Sequence, residues 1–331
     1  MFKNKSILIT GGTGSFGRAL VALLLKKYEP RKIVIYSRDE QKHFDMNNDF
    51  QDGRLRYFVG DVRDRERLDM AMQGVDIVVH AAAMKHVHIA EYNPMECIKT
   101  NVDGANNVIA SCIKNNVEKV IALSTDKAAA PANLYGATKL VSDKLFVAAN
   151  NLVGAGRTRF AVVRYGNVMG SKGSILPFFR KLLVNNADHL PITHEEMTRF
   201  IITLEQGCNF VIDGFARMHG GEIFIPKIPS ITIVDFAKAI APQLPIKIVG
   251  IRPGEKLHEA MITENDAHLT YEFKNYYSIV PTINFSFESD YSRNALGDEG
   301  KRVDPNFEYI SNINEHFLNV EEIGKMIKEI E

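Results

Sequence analysis

The chain has 331 residues, with apolar side chains at 45% and charged ones at 24%, the balance of a globular protein with one large domain or two closely joined ones. Its 40 acidic and 40 basic side chains cancel, so no broad field draws a nucleic-acid backbone or an anionic membrane, and an anionic substrate needs a local basic pocket. No apolar run approaches the ~20 residues of a membrane span, and without a signal-peptide pattern a cytoplasmic protein is expected.

Ser6–Thr10 is a short apolar run that ends at Gly11-Gly12 and reads as a buried strand. Ser15–Tyr28 has helical spacing at Phe16, Leu20, Leu23 and Leu24. Between them Gly11, Gly14 and Gly17 give G-x-x-G-x-x-G. Glycine permits positive φ and close approach of backbone to a pyrophosphate, and the helix N-terminus presents free N–H groups to it. At a first strand–helix turn the pattern predicts a dinucleotide site at Gly11, Thr13, Gly14, Ser15, Phe16 and Gly17; a tight turn without ligand is the alternative.

The second strand, Lys32–Tyr36, runs into Ser37-Arg38-Asp39. An acid here suits the ribose 2′-hydroxyl of NAD, and basic groups suit the 2′-phosphate of NADP. Ser37, Arg38 and Lys42 can grip a phosphate, while Asp39 can begin the next helix, so NADP is the expected cofactor. A third strand, Leu55–Val59, leads to Asp61-Val62, where an adenine would sit. A fourth, Asp76–His80, leads to Ala81-Ala82-Ala83, small enough to let a cofactor pass close. The fifth is Lys119–Ser124 and the sixth Phe160–Tyr165; Leu123, Ser124 and Val168 complete the expected cofactor contacts. Helices between strands imply a Rossmann-like, doubly wound parallel sheet over residues 1–166.

After Gly166 the rhythm loosens. Gly170–Gly173 reads as a loop, Ile175–Val184 and Glu205–Phe215 as helices, Thr198–Thr203 and Glu222–Pro226 as strands, and Ile231–Ile240 as a helix. The stretch Asn284–Asn312 is polar and loop-like, and Glu321–Ile330 reads as a terminal helix. Residues 167–331 thus read as a smaller α/β substrate-binding lid domain and tail, with a segment around 205–240 returning to the first sheet. Cys97, Cys112 and Cys208 are odd in number and far apart, so no disulfide framework is expected. His80, His86 and His88 lack a completing Cys or carboxylate, so no metal site is expected.

The chemistry concentrates in Ser124-Thr125-Asp126-Lys127 and Tyr135-x-x-x-Lys139. Tyr135 and Lys139 share a helix face. An ammonium beside a phenol favours phenolate, which can take a proton from a sugar hydroxyl as hydride leaves the same carbon. Thr125 can hydrogen-bond that oxygen. Asp126 and Lys127 add an acid and a base that a simple dehydrogenase does not need, which points to oxidation coupled to elimination. Lys139 and a nicotinamide charge are the expected source of a push that leaves Lys127 an uncharged amine. A solvated ion pair is the alternative for Asp126–Lys127.

On these residues the chain resembles the extended short-chain dehydrogenase/reductases, and within them the C5-inverting 4,6-dehydratases that act on UDP-N-acetylglucosamine at the start of pseudaminic acid synthesis for flagellin glycosylation. The resemblance runs nearly end to end. It rests on Gly11–Gly17, Tyr36–Glu40, Ala81–Val87, Ser124–Lys127, Tyr135–Lys139, Arg164–Val168, Met197–Phe200 and Arg252–Lys256. It implies that Tyr135 deprotonates the C4 hydroxyl as NADP⁺ takes the C4 hydride, that Lys127 removes the C5 proton, that Asp126 protonates the departing C6 hydroxyl, and that hydride returns to C6. It further implies that Lys85, Asn167, Thr198, Arg199, Arg252 and Glu255 contact the substrate beside Tyr135, and that the protein is a homo-oligomer, dimer to hexamer. For Arg199 and Glu255 an internal salt bridge is the competing reading. The sequence departs from the pattern at Ala128–Ala132 and at His88. A retaining dehydratase, a 4-epimerase and a non-catalytic NADP-binding regulator are the competing functions; Lys127, in place of a glutamate, disfavours retention.

Overall fold

The computed structural model describes every residue except 155, 284, 286–288 and 331. Six strands, β1 (Ser6–Thr10), β2 (Lys32–Ser37), β3 (Leu55–Val59), β4 (Ile77–His80), β5 (Lys119–Thr125) and β6 (Arg159–Tyr165), alternate with helices. β1 and β4 are buried along their whole length, as unbroken apolar runs must be where helices cover both faces of a sheet. They pair in parallel in the order β3-β2-β1-β4-β5-β6. Thr10 lies opposite His80, and His80 opposite Ala122. The residues just past β1, β4 and β5 therefore emerge along one edge, where doubly wound sheets bind ligands.

The chain continues through β7 (Asn167–Val168), β8 (Leu190–Ile192), β9 (Thr198–Ile202) and β10 (Ile223–Pro226). β10 returns to the first sheet beside β6, and the helix Leu204–Arg217 before it packs on the helix Ser15–Lys27. Next come β11 (Ser230–Thr232), β12 (Ile246–Ile248), β13 (Ala260–Ile262), β14 (Thr270–Glu272), β15 (Tyr276–Ile279), β16 (Lys301–Arg302) and β17 (Tyr309–Ile310). β15, β14 and β16 extend the sheet antiparallel, making it ten-stranded among the described residues. The remaining strands form β11-β9-β7, β12-β8 and β13-β17. This outer region has its own core, which includes Met169, Phe179, Ile201, Phe236 and Ile323. The terminal helix Val320–Glu329 packs on the helix Ile233–Ile240.

Two readings of this half need correction. Ser230–Thr232 pairs with β9, and the helix expected from Ile231 begins at Ile233, because the Thr232 hydroxyl accepts from the Asp235 amide at 3.0 Å and caps it. The stretch from Asn284, whose first residue lies outside the described residues, carries β16 and β17 and is not all loop. All three cysteines are buried free thiols. Among the described residues no helix is long and apolar enough to cross a membrane.

Candidate active site

Gly11 comes directly after β1 with φ +67°, and a Cβ there would stand 2.9 Å from the Ala82 nitrogen. Only glycine turns the chain so sharply and so close to the strand end beside it. The helix that starts at Ser15 has no side-chain cap on its first turn. Its N–H groups and positive dipole end lie open toward the strand edge, a backbone cradle suited to a pyrophosphate. The Thr10 hydroxyl, 2.8 Å from His80 Nδ1, is 3.2 Å from each of the Ala81 and Ala82 amides and fixes the neighbouring turn. Phe16 stacks on Tyr165, Gly17 lies against Gly12, and the Ser15 hydroxyl accepts from the Lys172 amide at 3.2 Å.

At the end of β2 the Ser37 hydroxyl lies 2.8 Å from that of Thr13 and 2.9 Å from His43 Nε2. Arg38 is 58% exposed, with its guanidinium 3.7 Å from Asp61. Asp39 accepts from the Lys42 amide and pairs with the Lys42 ammonium at 2.6 Å, so it caps the next helix. The Asp61 carboxylate is held by Arg63 at 2.7 Å, its carbonyl accepts from the Tyr36 hydroxyl, and Val62 is buried against Gly104.

The proton-handling groups meet at the ends of β5 and β6. Thr125 ends β5, and Asp126–Ala128 form one 3₁₀ turn. The helix Leu134–Leu152 then presents Tyr135 and Lys139, both buried. The Asn133 side chain caps this helix at the Gly136 amide and donates to the Gly254 carbonyl, 2.8 Å in each case. A Cβ at Gly136 would lie 2.1 Å from the Lys127 carbonyl, so the absence of a side chain lets the turn seat on the helix. Burial pushes the Tyr135 phenol up to about 12 against the downward pull of the Lys127 charge and the Thr125 hydrogen bond. Burial pulls the Lys139 ammonium below the usual lysine range, and Asp143, one turn further on, pulls it back. Asp143 also accepts from the Ser124 hydroxyl at 2.7 Å and pairs with Arg164 at 3.2 Å.

Asp126 is fully buried; its Oδ1 accepts from the Thr125 hydroxyl at 2.9 Å and from Lys127 Nζ at 3.0 Å. Lys127 Nζ also stands 3.1 Å from Glu259. Burial pulls this ammonium down, but the two carboxylates outweigh it and hold Lys127 above the usual lysine range. The expected push from neighbouring cations is thus outweighed: the carboxylates of Asp126 and Glu259 favour the ammonium form of Lys127.

The other expected contacts divide. Lys85 donates to the Lys172 carbonyl at 2.8 Å, and burial holds it below the usual lysine range. Asn167 and Val168 form β7, and Leu123 is half-buried on β5. Arg252 is exposed, with Nη1 3.9 Å from Glu255. Thr198 and Arg199 are turned inward. The Thr198 hydroxyl lies 2.8 Å from His258 and 2.7 Å from Ser311. Arg199 donates to the carbonyls of Thr198, Leu257 and Lys256 and stands 3.9 Å from Glu259. Sequence reasoning missed Glu259 and Asp143, and gave Lys256 only as the end of the Arg252–Lys256 motif, with no role. The available signal for Glu259 was an acid that opens the apolar run Ala260-Met261-Ile262.

The family model for polysaccharide biosynthesis proteins matches residues 7–281. The chain is 60% identical over 332 aligned residues to a UDP-N-acetylglucosamine 4,6-dehydratase (inverting) of Campylobacter jejuni subsp. jejuni, covering 100% of this chain and 99% of the relative. It is 38% identical to a UDP-glucose 4-epimerase of Rickettsia massiliae, over 99% of this chain and 96% of that one. The X-ray structure of Pen from Bacillus thuringiensis superposes with a TM-score of 0.90 at 34% identity, covering 100% of this chain and 99% of that one.

Proposed function

The chain belongs to the polysaccharide biosynthesis protein family, and from that premise we propose that it is an extended short-chain dehydrogenase/reductase, an NADP-dependent, C5-inverting 4,6-dehydratase of UDP-N-acetylglucosamine. The observation that carries the reading is the pair of buried Asp126 and half-buried Lys127 at 3.0 Å, on a turn seated against the helix of Tyr135 and Lys139. An epimerase, the name carried by the Rickettsia relative, moves hydride to and from one carbon and has no use for a second acid and base.

Gly11, Gly14 and the open first turn of the Ser15 helix would hold the dinucleotide pyrophosphate, and Ser37, Arg38 and Lys42 the 2′-phosphate. When bound, the nicotinamide supplies the reversible acceptor for the hydride that leaves C4 and re-enters at C6. Tyr135 acts in its phenolate form, which burial disfavours and the Lys127 charge and Thr125 hydrogen bond favour; it takes the C4 hydroxyl proton, with Lys139 behind it and Thr125 on the same oxygen. The resulting 4-keto group acidifies C5–H. Lys127, once relieved of its proton, removes the C5 proton, and Asp126 in its acid form protonates the departing C6 hydroxyl. Reprotonation of C5 from the opposite face inverts the centre. Lys85 and Arg252 carry the positive charge available to the nucleotide diphosphate; Asn167 and Glu255 lie within the same reading as sugar contacts. The 167–331 half acts as the substrate lid, and the protein works as a cytoplasmic homo-oligomer in pseudaminic acid synthesis.

Incubation of the purified protein with UDP-N-acetylglucosamine, read by mass spectrometry, tests the proposal. The product is expected to be lighter by one water. An unchanged mass with a changed sugar configuration assigns the chain to epimerisation instead.

A further inference from the structure

Lys127 reacts as an amine only if its proton has somewhere to go, and the groups around it define the route. From its own turn Asp126 Oδ1 meets Nζ at 3.0 Å; from the loop before β13, Glu259 Oε1 meets it at 3.1 Å. Tyr135 faces it from the helix behind. Arg199, on β9, and Lys256 stand 3.9 and 3.8 Å from Glu259. Glu259 is 2% exposed, and its Oε2 and Asp126 Oδ2 both lack a hydrogen-bond partner among the described residues. The segment is pinned, since buried Arg164 donates to the Met261 carbonyl at 2.9 Å and Lys256 Nζ donates to the Ala129 carbonyl at 2.7 Å.

We propose that Glu259 is a positioning residue that holds the Lys127 ammonium against Asp126 and governs the passage of one proton between them. The inference rests on the reading of Asp126 and Lys127 as the acid and base of elimination. In the step, one N–H bond of Lys127 breaks and one O–H bond forms on Asp126. The pair goes from ammonium and carboxylate to amine and carboxylic acid with no change in net charge and no outside acid. These are the forms that elimination requires. The negative charge of Glu259 resists the transfer because it favours the ammonium. Arg199 and Lys256, each beside Glu259, offset part of that resistance. Glu259 therefore keeps Lys127 in place and charged until substrate arrives, and Lys256 keeps that hold from becoming permanent.

Two variants with opposite expected signs test this, each read without substrate and with it. The substrate-free readout is the rate at which Lys127 is acetylated by acetic anhydride at a fixed, mildly alkaline pH, measured by peptide mass spectrometry against exposed Lys3 in the same sample. Only the neutral amine reacts. E259Q removes the charge and keeps the shape, and is expected to lower the proton affinity of Lys127 by about 1–3 pH units, which speeds acetylation about tenfold or more. K256M removes the offsetting cation and is expected to slow it. With UDP-N-acetylglucosamine, the active pair holds one proton, so both limbs of kcat against pH move to lower pH in E259Q and to higher pH in K256M; E259D, which keeps the charge, keeps the wild-type limbs at reduced kcat. Unchanged acetylation and unmoved limbs in E259Q, with only a lowered Tm, overturn the proposal. If E259Q does not fold, unchanged acetylation in K256M overturns it equally. If the wild-type protein eliminates no water, the dehydratase reading fails while the acetylation rates still decide whether Glu259 governs Lys127.

Discussion

The two proton-handling pairs stand side by side but are built differently. Tyr135 and Lys139 ride on a 19-residue helix capped by Asn133, and burial is the main influence on both. Asp126 and Lys127 ride on a 3-residue turn; burial is again the largest single influence on Lys127, but two carboxylates together outweigh it, one of them contributed by the loop before β13. The helix-borne pair packs on β5 and β6 of the parallel sheet. The turn-borne pair borrows its electrostatics from the half that carries Glu259, Lys256 and Arg199. Under the proposed function, a scaffold arranged this way would keep one hydride-transfer apparatus and vary the fate of the oxidised sugar through residues far away in sequence.

The sharpest way to break that division is to remove one pair at a time. Lys127→Ala is expected to slow elimination about 10²–10⁴-fold, the range of a lost general base, while UDP-N-acetylglucosamine still reduces the bound cofactor in a single turnover seen by nicotinamide absorbance. Tyr135→Phe is expected to stop both. Loss of cofactor reduction in Lys127→Ala would merge the two pairs into one unit.

The seat between turn and helix is tested next. Gly136→Ala forces a methyl toward the Lys127 carbonyl, where a Cβ would have only 2.1 Å, and is expected to cost roughly 1–3 kcal/mol in urea unfolding with a fall in kcat. Gly207→Ala, in a helix where an added Cβ meets nothing within 4 Å, is the control, and is expected to gain about 0.4–1 kcal/mol. Equal losses at both positions would mean that the seat has no special role.

A smaller effect concerns the cofactor. Arg38→Ala is expected to weaken NADP about tenfold, the loss of one charged contact, and to leave NAD binding unchanged, by fluorescence titration. The last effect is on stability. Burial depresses His80 to about 3 from its ordinary value of 6.5. The neutral ring is therefore favoured by the fold, its contribution is complete above about pH 6.5, and it is lost as pH falls toward 3. The decline in urea midpoint between neutral and mildly acidic pH should be shallower in His80→Gln than in the wild type.

The first half, through Gly166, was legible because its signals are local. Glycines at a strand end, an acid that caps the next helix and apolar runs buried on both faces announce themselves within a few residues. Asp39 was readable as a cap because it sits three residues before Lys42. Beyond Gly166 the partners are distant. The resemblance implies Arg199 as a substrate contact, yet its guanidinium lies against backbone carbonyls of residues 198, 256 and 257. Glu259 carries no motif, because what it does depends on a turn near the middle of the chain. β14, β15 and β16 are 2–4 residues long, too short for alternation to mark them. The charge state of Lys127 obeyed the same rule: the lysine was visible, and the carboxylate across from it was not.

The stereochemical outcome tests the central claim most directly. Proton NMR of the reaction with UDP-N-acetylglucosamine in D₂O is expected to show a new C6 methyl signal, solvent deuterium at C5 and the L configuration there. A C5 centre of retained configuration, or a 4-epimer with no methyl signal, would contradict the assignment of Asp126 and Lys127 as the acid and base of an inverting elimination.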